Sequence, residues 1–124
     1  MATAAMAAHP ARSVSNVDRL VTHFEQDLGM TPAELASALS VSARTINRWR
    51  TGETLPQKAA RTKLGELVEL RDHLYRTFED EGVPVWLRTP SRYLGGVTPV
   101  EMLRLGRFER VDAALVAIDA GFFV

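Results

Sequence analysis

Three side chains able to hydrogen-bond with nucleic-acid bases recur at a helical spacing within residues 42–51. Arg44, Asn47 and Arg48 stand at i, i+3 and i+4, so an α-helix brings them to one face. Arginine suits the major-groove edge of guanine and asparagine that of adenine, whereas hydroxyl and basic side chains suit phosphate oxygens. The spacing therefore predicts a helix that contacts duplex DNA. The predicted base-contacting residues are Arg44, Asn47 and Arg48, and the predicted phosphate-contacting residues are Ser42, Thr45, Arg50 and Lys58.

The segment that contains these residues, 31–52, has the pattern of a helix-turn-helix. The T-P-x-E sequence at 31–34 predicts a capped start of the first helix, and Gly52 predicts the end of the second. In the turn, Ser40 stands where glycine is often found, and a left-handed backbone there costs energy. The predicted buried positions are Leu35, Ala36, Leu39, Val41, Ile46 and Trp49. An ordinary helical hairpin inside a bundle is the alternative interpretation.

Basic residues are concentrated in this region, although the formal net charge of the chain is zero. Residues 42–63 hold six basic residues and one acidic residue, whereas residues 64–81 hold two basic and six acidic residues. A basic patch beside an acidic helix is typical of a protein with one DNA-facing surface. Such a patch alone is usually a solvated face, so it supports DNA binding only because it coincides with the motif.

Apolar periodicity predicts an all-α fold, in which an N-terminal helix-turn-helix lobe is joined by a long helix to a small helical C-terminal lobe. The predicted units are a disordered tail (1–13), a helix-turn-helix domain (14–62), a connecting helix (63–82) and a C-terminal domain (83–124). The first helix is predicted to start near Ser15 and the long helix to span 57–81. The apolar arc of the long helix is wider than one neighbour requires, so it packs against both lobes or against a second copy. Because helix-turn-helix proteins usually read paired half-sites, we predict a homodimer.

Glycine and proline divide the C-terminal lobe into short pieces. Single helical turns are predicted at 85–87 and 91–94, with a tight turn at the glycine pair 95–96. A second T-P-x-E sequence, at 98–101, predicts a helix that stops at Gly106. The last helix has one apolar face, formed by Phe108, Val111, Leu115 and Ile118.

The composition excludes several kinds of site. The chain has no cysteine, which excludes disulfides and thiolate metal sites and fits a cytoplasmic protein. His9, His23 and His73 lack metal-ligand spacing and are predicted at the surface or its boundary. No apolar run is long enough to cross a membrane, and no phosphate loop or catalytic signature is present. The sequence therefore predicts a non-enzymatic protein with no metal, no cofactor and no membrane partner.

Aromatic side chains in the second half allow two interpretations. Trp86 and Tyr93 either line a ligand pocket beside the glycine turn or pack in the core of the lobe. Phe122 and Phe123, followed by the terminal Val124, either pack against their own fold or contact a partner, since an exposed apolar end is unfavourable.

The second half also contains a more specific string of residues. It reads W-L-R-T-P at 86–90, L-G-G at 94–96 and T-P-x-E-x-L at 98–103, followed by a helix and a glycine-aromatic ending. Together with the preceding helix-turn-helix, this string resembles the Xre/MbcA/ParS antitoxins over residues 15–124.

The resemblance implies both partners and site residues. Such antitoxins bind a RES-domain toxin that consumes NAD⁺, obstruct its active-site cleft with their C-terminal domain, and often repress their own operon through the N-terminal domain. The implied toxin-binding residues are Trp86, Pro90, Leu94, Gly95, Gly96, Thr98, Pro99, Glu101, Phe122, Phe123 and Val124. Most of these are expected to build the lobe, whereas residues 122–124 are expected to enter the toxin cleft. The remaining alternatives are a stand-alone transcription factor with a ligand-sensing lobe and an adaptor whose helix-turn-helix serves only as scaffold.

Overall fold

A computed structural model describes residues 10–121, which form seven α-helices. The helices are α1 (Pro10–Gln26), α2 (Pro32–Leu39), α3 (Ala43–Thr51), α4 (Lys58–Thr77), α5 (Gly82–Leu87), α6 (Pro99–Arg104) and α7 (Phe108–Asp119). The one β pairing within 10–121 is an isolated antiparallel bridge between Ser91 and Val97. The predicted all-α fold is confirmed.

Helices α2 and α3 have the predicted bounds because each is defined by local hydrogen bonds. Thr31 Oγ1 accepts from the backbone N–H of Glu34 at 3.1 Å, and Glu34 Oε1 accepts from the N–H of Thr31 at 2.9 Å, which completes the capping box. Ser40 ends α2 in the left-handed conformation, with φ 59° and ψ 41°. It is the one non-glycine residue with positive φ among those described. The left-handed backbone at Ser40 is therefore present, with the conformational energy cost that the sequence predicted.

Helix α1 begins earlier than predicted. It starts at Pro10, a residue type favoured at the first helical position, so residues 10–13 belong to a helix and not to a disordered tail. Residues 1–9, including His9, lie outside the described part of the chain.

The long helix ends earlier than predicted, at Thr77. Phe78 adopts an extended backbone, with φ −126° and ψ 157°, and its ring packs against Trp86 with 5.3 Å between the ring centroids. Pro84 lies in the first turn of α5, where its missing N–H breaks no helical hydrogen bond. The predicted turn at 85–87 is therefore part of α5, whereas residues 91–94 form a non-helical turn closed by the Ser91–Val97 bridge.

One hydrophobic core extends through both lobes. The arc of α4 supplies Leu64, Leu67, Leu70 and Leu74, all buried, and α4 packs on both α2 and α7. Helix α2 also packs on α6, so the first half of the chain lies directly on the second. The broad apolar arc is therefore covered within a single chain and gives no argument for a dimer.

Within residues 10–121, no helix is both long and apolar enough to cross a membrane.

Candidate functional site

The outer face of α3 presents three of the predicted DNA-contacting side chains to solvent. Arg44, Asn47 and Arg48 are all exposed. The Nε atom of Arg48 lies 3.6 Å from a carboxylate oxygen of Glu53. The structure therefore brings the three predicted base-contacting residues to one open face.

Ser42 and Thr45 have a structural role at the start of α3. The Ser42 hydroxyl accepts from the N–H of Thr45 at 3.0 Å and lies 3.0 Å from its hydroxyl. Lys58 is exposed at the first residue of α4. Arg48, Thr45 and Lys63 line a 490 Å³ groove between α3 and α4. The basic side of this groove borders the face that carries Arg44 and Asn47.

Arg50 lies elsewhere, in contrast to its predicted place among the phosphate contacts. Its guanidinium donates to Thr22 Oγ1 at 3.2 Å and to a carboxylate oxygen of Glu25. Arg50 follows Arg48 by two positions, which turns it about 200° around a helix. That helical phase was the signal available in the sequence, and it directs Arg50 toward α1.

The motif residues of the C-terminal lobe mainly build that lobe. Leu94 and Pro99 are buried, and Thr98 Oγ1 accepts from the N–H of Glu101 at 3.2 Å to cap α6. Glu101 also accepts hydrogen bonds from Arg104 at 2.9 and 3.0 Å. The side chain of Pro90 is exposed.

The glycine pair forms a tight turn, as predicted. Gly95 and Gly96 have φ of 78° and 89°, values that favour glycine. The N–H of Gly96 donates to the carbonyl of Ser91 at 2.7 Å, and the N–H of Ser91 donates to the carbonyl of Val97 at 3.0 Å. The turn thereby fixes the direction in which the chain enters α6.

Trp86 and Tyr93 do not line a common cavity. Trp86 is half-buried against Phe78, whereas Tyr93 is exposed on a shallow depression beside α7. The structure therefore gives no support to a ligand pocket formed by these two residues.

Arg88, within the W-L-R-T-P motif, connects the two lobes, a role that sequence reasoning missed. Its guanidinium donates to both carboxylate oxygens of Glu34, at 2.6 and 3.1 Å, and to the carbonyl of Gly29 at 2.7 Å. The hydrogen bond from Arg88 lowers the pKa of Glu34. This contact joins the end of α5 to the start of α2, and so joins the two lobes.

His73 corrects the expectation of a surface or boundary histidine, since it is only 8% exposed. Its Nδ1 lies 2.6 Å from Asp112 Oδ1, and its Nε2 lies 2.7 Å from Asp119 Oδ2. A neutral imidazole has a single N–H, so donation to both carboxylates requires the imidazolium. Burial opposes the charged ring, but the hydrogen bonds with Asp119 and Asp112 outweigh burial and raise the pKa of His73.

The same cluster lowers the pKa of Asp119. The hydrogen bond from His73 is the largest cause, followed by that from the hydroxyl of Thr77 at 2.9 Å. The cluster connects α4 to both halves of α7, through Asp112 near its start and Asp119 at its end. His23 fits the original expectation, being half-buried beside Asp27.

We expect His73→Leu to lower the free energy of unfolding at mildly acidic pH and to lower it less at alkaline pH. Folding raises the pKa of His73, so the protonated ring stabilises the folded state fully at pH values below the ordinary histidine pKa of about 6.5. This stabilisation is lost as the pH rises through the pKa of His73 in the folded state. Because the two carboxylates are half-exposed, the expected loss is about 1–2 kcal/mol near pH 5.5. Urea unfolding between about pH 5.5 and 8.5 measures this difference. An equal loss at both pH values would contradict the assignment.

Helix α7 leads directly to the end of the chain. Gly121 follows it with φ 93°, and its N–H donates to the carbonyl of Ile118 at 2.9 Å. Phe122, Phe123 and Val124, predicted to enter a toxin cleft, lie outside the described residues.

Comparison with known proteins connects this architecture to a family. Residues 73–121 match the model of the antitoxin Xre/MbcA/ParS C-terminal toxin-binding domain. Over 97 residues the chain is 32% identical to mycobacterial cidal antitoxin MbcA of Mycobacterium tuberculosis and to that of Mycobacterium bovis, covering 78% of this chain and 86% of each relative. The chain belongs to the Xre/MbcA/ParS antitoxin family.

A solved structure of a toxin–antitoxin complex also resembles this antitoxin. One chain of the crystal structure of the M. tuberculosis MbcT–MbcA complex matches with a TM-score of 0.65 and 30% identity. The match covers 87% of this chain and 97% of that chain. The family domain spans the end of α4 through α7, which includes the W-L-R-T-P and glycine-turn motifs. The predicted family and fold are thus confirmed, and the chain is an antitoxin of a toxin–antitoxin system.

Proposed function

We propose that this antitoxin binds a RES-domain toxin that degrades NAD⁺ and inhibits it by steric obstruction of its active-site cleft. The observation that carries the proposal is the match of residues 73–121 to a toxin-binding domain. The similarity to one chain of the MbcT–MbcA complex supports a protein partner. The inhibition requires no catalytic group, only a protein surface in the space that the dinucleotide would enter.

The toxin-binding residues divide into two groups. The motif residues from Trp86 to Glu101 shape the lobe, since Leu94 and Pro99 are buried and Thr98 caps α6. Phe122, Phe123 and the Val124 carboxylate enter the toxin cleft in our proposal. Support for this comes from their apolar side chains directly after Gly121, because exposed apolar groups adjacent in sequence are unfavourable without a partner.

Co-expression with the product of the neighbouring gene, which the proposal expects to be a RES-domain toxin, tests the proposal. The full-length antitoxin is expected to restore growth and cellular NAD⁺, and a chain truncated after Ala120 is expected to restore neither. Thermal unfolding of the truncated chain serves as control for folding. Failure of the full-length chain to restore NAD⁺ would contradict the proposed function, whereas rescue by the truncated chain would contradict only the role of the chain end.

We further propose that the antitoxin represses its own operon through α3. Arg44, Asn47 and Arg48 would contact bases, while Ser42, Thr45 and Lys58 would contact phosphates. Arg50 is left out of this set because α1 already binds its guanidinium. We propose that the antitoxin binds its operator as a homodimer, because helix-turn-helix proteins usually contact paired half-sites.

Arg44→Ala is expected to weaken operator binding by about 1–3 kcal/mol and to relax sequence preference, because an arginine on a base edge supplies both affinity and discrimination. Fluorescence anisotropy on an operator duplex and a scrambled duplex at fixed salt measures both effects. Arg110→Ala, which removes an exposed arginine from α7, is the matched control. Equal losses on the two duplexes would reassign Arg44 to a phosphate contact.

A further inference from the structure

The outward side of α7 has two adjoining depressions. One, of 440 Å³, is mainly apolar and lies between Tyr93 and the last turns of α7. The other, of 580 Å³, lies between α4 and α7. Glu109 and Asp112 line both, so the two depressions form one continuous surface, which we call the α7 face.

The apolar half of the α7 face contains large hydrophobic side chains that are exposed to solvent. Tyr93 is 45% exposed and Val116 is 52% exposed. Ala113, Ala117 and Ala120 line the floor between them, so the side chains on this stretch of α7 are small enough for another protein to approach closely. Apolar side chains grouped in this way are typical of an interaction surface.

The other half of the α7 face carries carboxylates. Glu66, Glu69, Glu109 and Asp112 line it, with Arg76 as its one arginine or lysine. Asp112 is held by His73, whereas Glu66, Glu69 and Glu109 form no ion pair with the side chains described, those of residues 16–121. These three carboxylates are exposed and project from neighbouring helices.

The apolar half of the α7 face lies within the part of the chain that matches a toxin-binding domain. That match covers residues 73–121, which include Tyr93 and the whole of α7. Ala120, close to the end of this range, lines the apolar depression. The family match therefore favours a toxin as the protein that covers this face.

We propose that the α7 face docks onto the rim of the toxin's nucleotide cleft, with Glu66, Glu69 and Glu109 facing the cationic groups that bind the pyrophosphate of NAD⁺. This inference rests on the proposed function. A cleft that holds a dinucleotide offers basic side chains and N–H groups to its phosphates, and carboxylates are complementary to the same groups. Tyr93 and Val116 supply the apolar centre of the contact, and the carboxylates supply its charged rim.

Titration of purified antitoxin into the product of the neighbouring gene, the RES-domain toxin expected under the proposed function, tests the apolar centre. Val116→Arg is expected to weaken the complex about 10- to 100-fold, because it places a charge in a buried apolar contact. Leu55→Arg is the matched control, since Leu55 is 51% exposed but lies between α3 and α4. It is expected to leave the dissociation constant unchanged. Unchanged binding by Val116→Arg would overturn the proposal.

Charge neutralisation on exposed positions tests the rim without altering packing. The triple variant Glu66→Gln, Glu69→Gln, Glu109→Gln is expected to weaken binding about tenfold at low salt and to reduce its salt dependence. Glu53→Gln, Glu79→Gln, Glu81→Gln, in which all three carboxylates lie off the α7 face, is the matched control. Inorganic pyrophosphate is expected to compete with the wild-type antitoxin more strongly than with the rim variant.

The outcomes separate the two proposals. If the wild-type chain does not bind the RES-domain protein, the proposed function fails. If the wild-type chain binds but the rim variant keeps both its affinity and its salt dependence, the charge pairing at the α7 face is overturned while the proposed function stands.

Discussion

Trp49→Ala is expected to remove about 3–5 kcal/mol from the free energy of unfolding, a large part of the stability of a domain of this size. Trp49 is 2% exposed and is among the largest fully buried side chains of the described segment. It belongs to the buried cluster that also contains Leu35 and Leu39 of α2, and its helix α3 packs on α1 and α2. Its loss leaves a cavity that the surrounding helices can close only in part. Because the core continues into the second lobe, the proposed toxin binding and the proposed DNA binding are both expected to fall.

Urea unfolding followed by far-UV circular dichroism measures this loss. Trp86→Ala provides a matched control, since it removes the only other tryptophan from a half-buried site against Phe78. We expect that variant to lose less than half as much stability. A smaller loss for Trp49→Ala than for Trp86→Ala would contradict the assignment of Trp49 to the shared core.

Arg88→Ala is expected to lower the free energy of unfolding by about 1–2 kcal/mol near neutral pH. The variant removes two hydrogen bonds to Glu34 and one to the carbonyl of Gly29. This loss is small for charged hydrogen bonds because the side chain of Arg88 is 45% exposed, so solvent weakens them. Glu34 would keep its cap on α2 but lose its only guanidinium partner among the described residues.

The pH dependence of this loss has a definite sign. The hydrogen bond from Arg88 lowers the pKa of Glu34, so the pair stabilises the fold above the ordinary glutamate value and the contribution is lost as pH falls through the folded-state value. Urea unfolding of the wild type and Arg88→Ala should therefore converge in acid.

Arg104→Ala is the control for this prediction. It removes a similarly exposed pair with Glu101, but within α6 and three residues apart. We expect it to cost about 0.5 kcal/mol or less. Equal losses for the two arginine variants would show that Arg88 does not hold the lobes together.

Local sequence rules predicted α2 and α3 well because their ends depend on contacts three or four residues apart. The capping box of Thr31 and Glu34 and the left-handed Ser40 are readable directly from the sequence. The helical phase also placed Trp49 inside and Arg44 outside. The family string at 86–103 identified the second lobe, and the comparison with family models confirmed it.

Long-range contacts could not be predicted in this way. His73 finds its carboxylates 39 and 46 residues further along the chain, and Arg88 lies 54 residues from Glu34. All three contacts join different helices, so the periodicity of a single helix does not predict them and they require knowledge of which helices pack together. The early end of α4 has the same origin, since the ring of Phe78 packs on Trp86 in α5.

The unbroken core from α1 to α7 has a consequence for how the antitoxin is removed in the cell. Two lobes that share one set of buried side chains are expected to unfold together. Under the two functions that we propose, a protease that captures the unfolded chain would abolish operator binding and toxin inhibition in a single event. The concentration of folded antitoxin would then determine both activities at the same time.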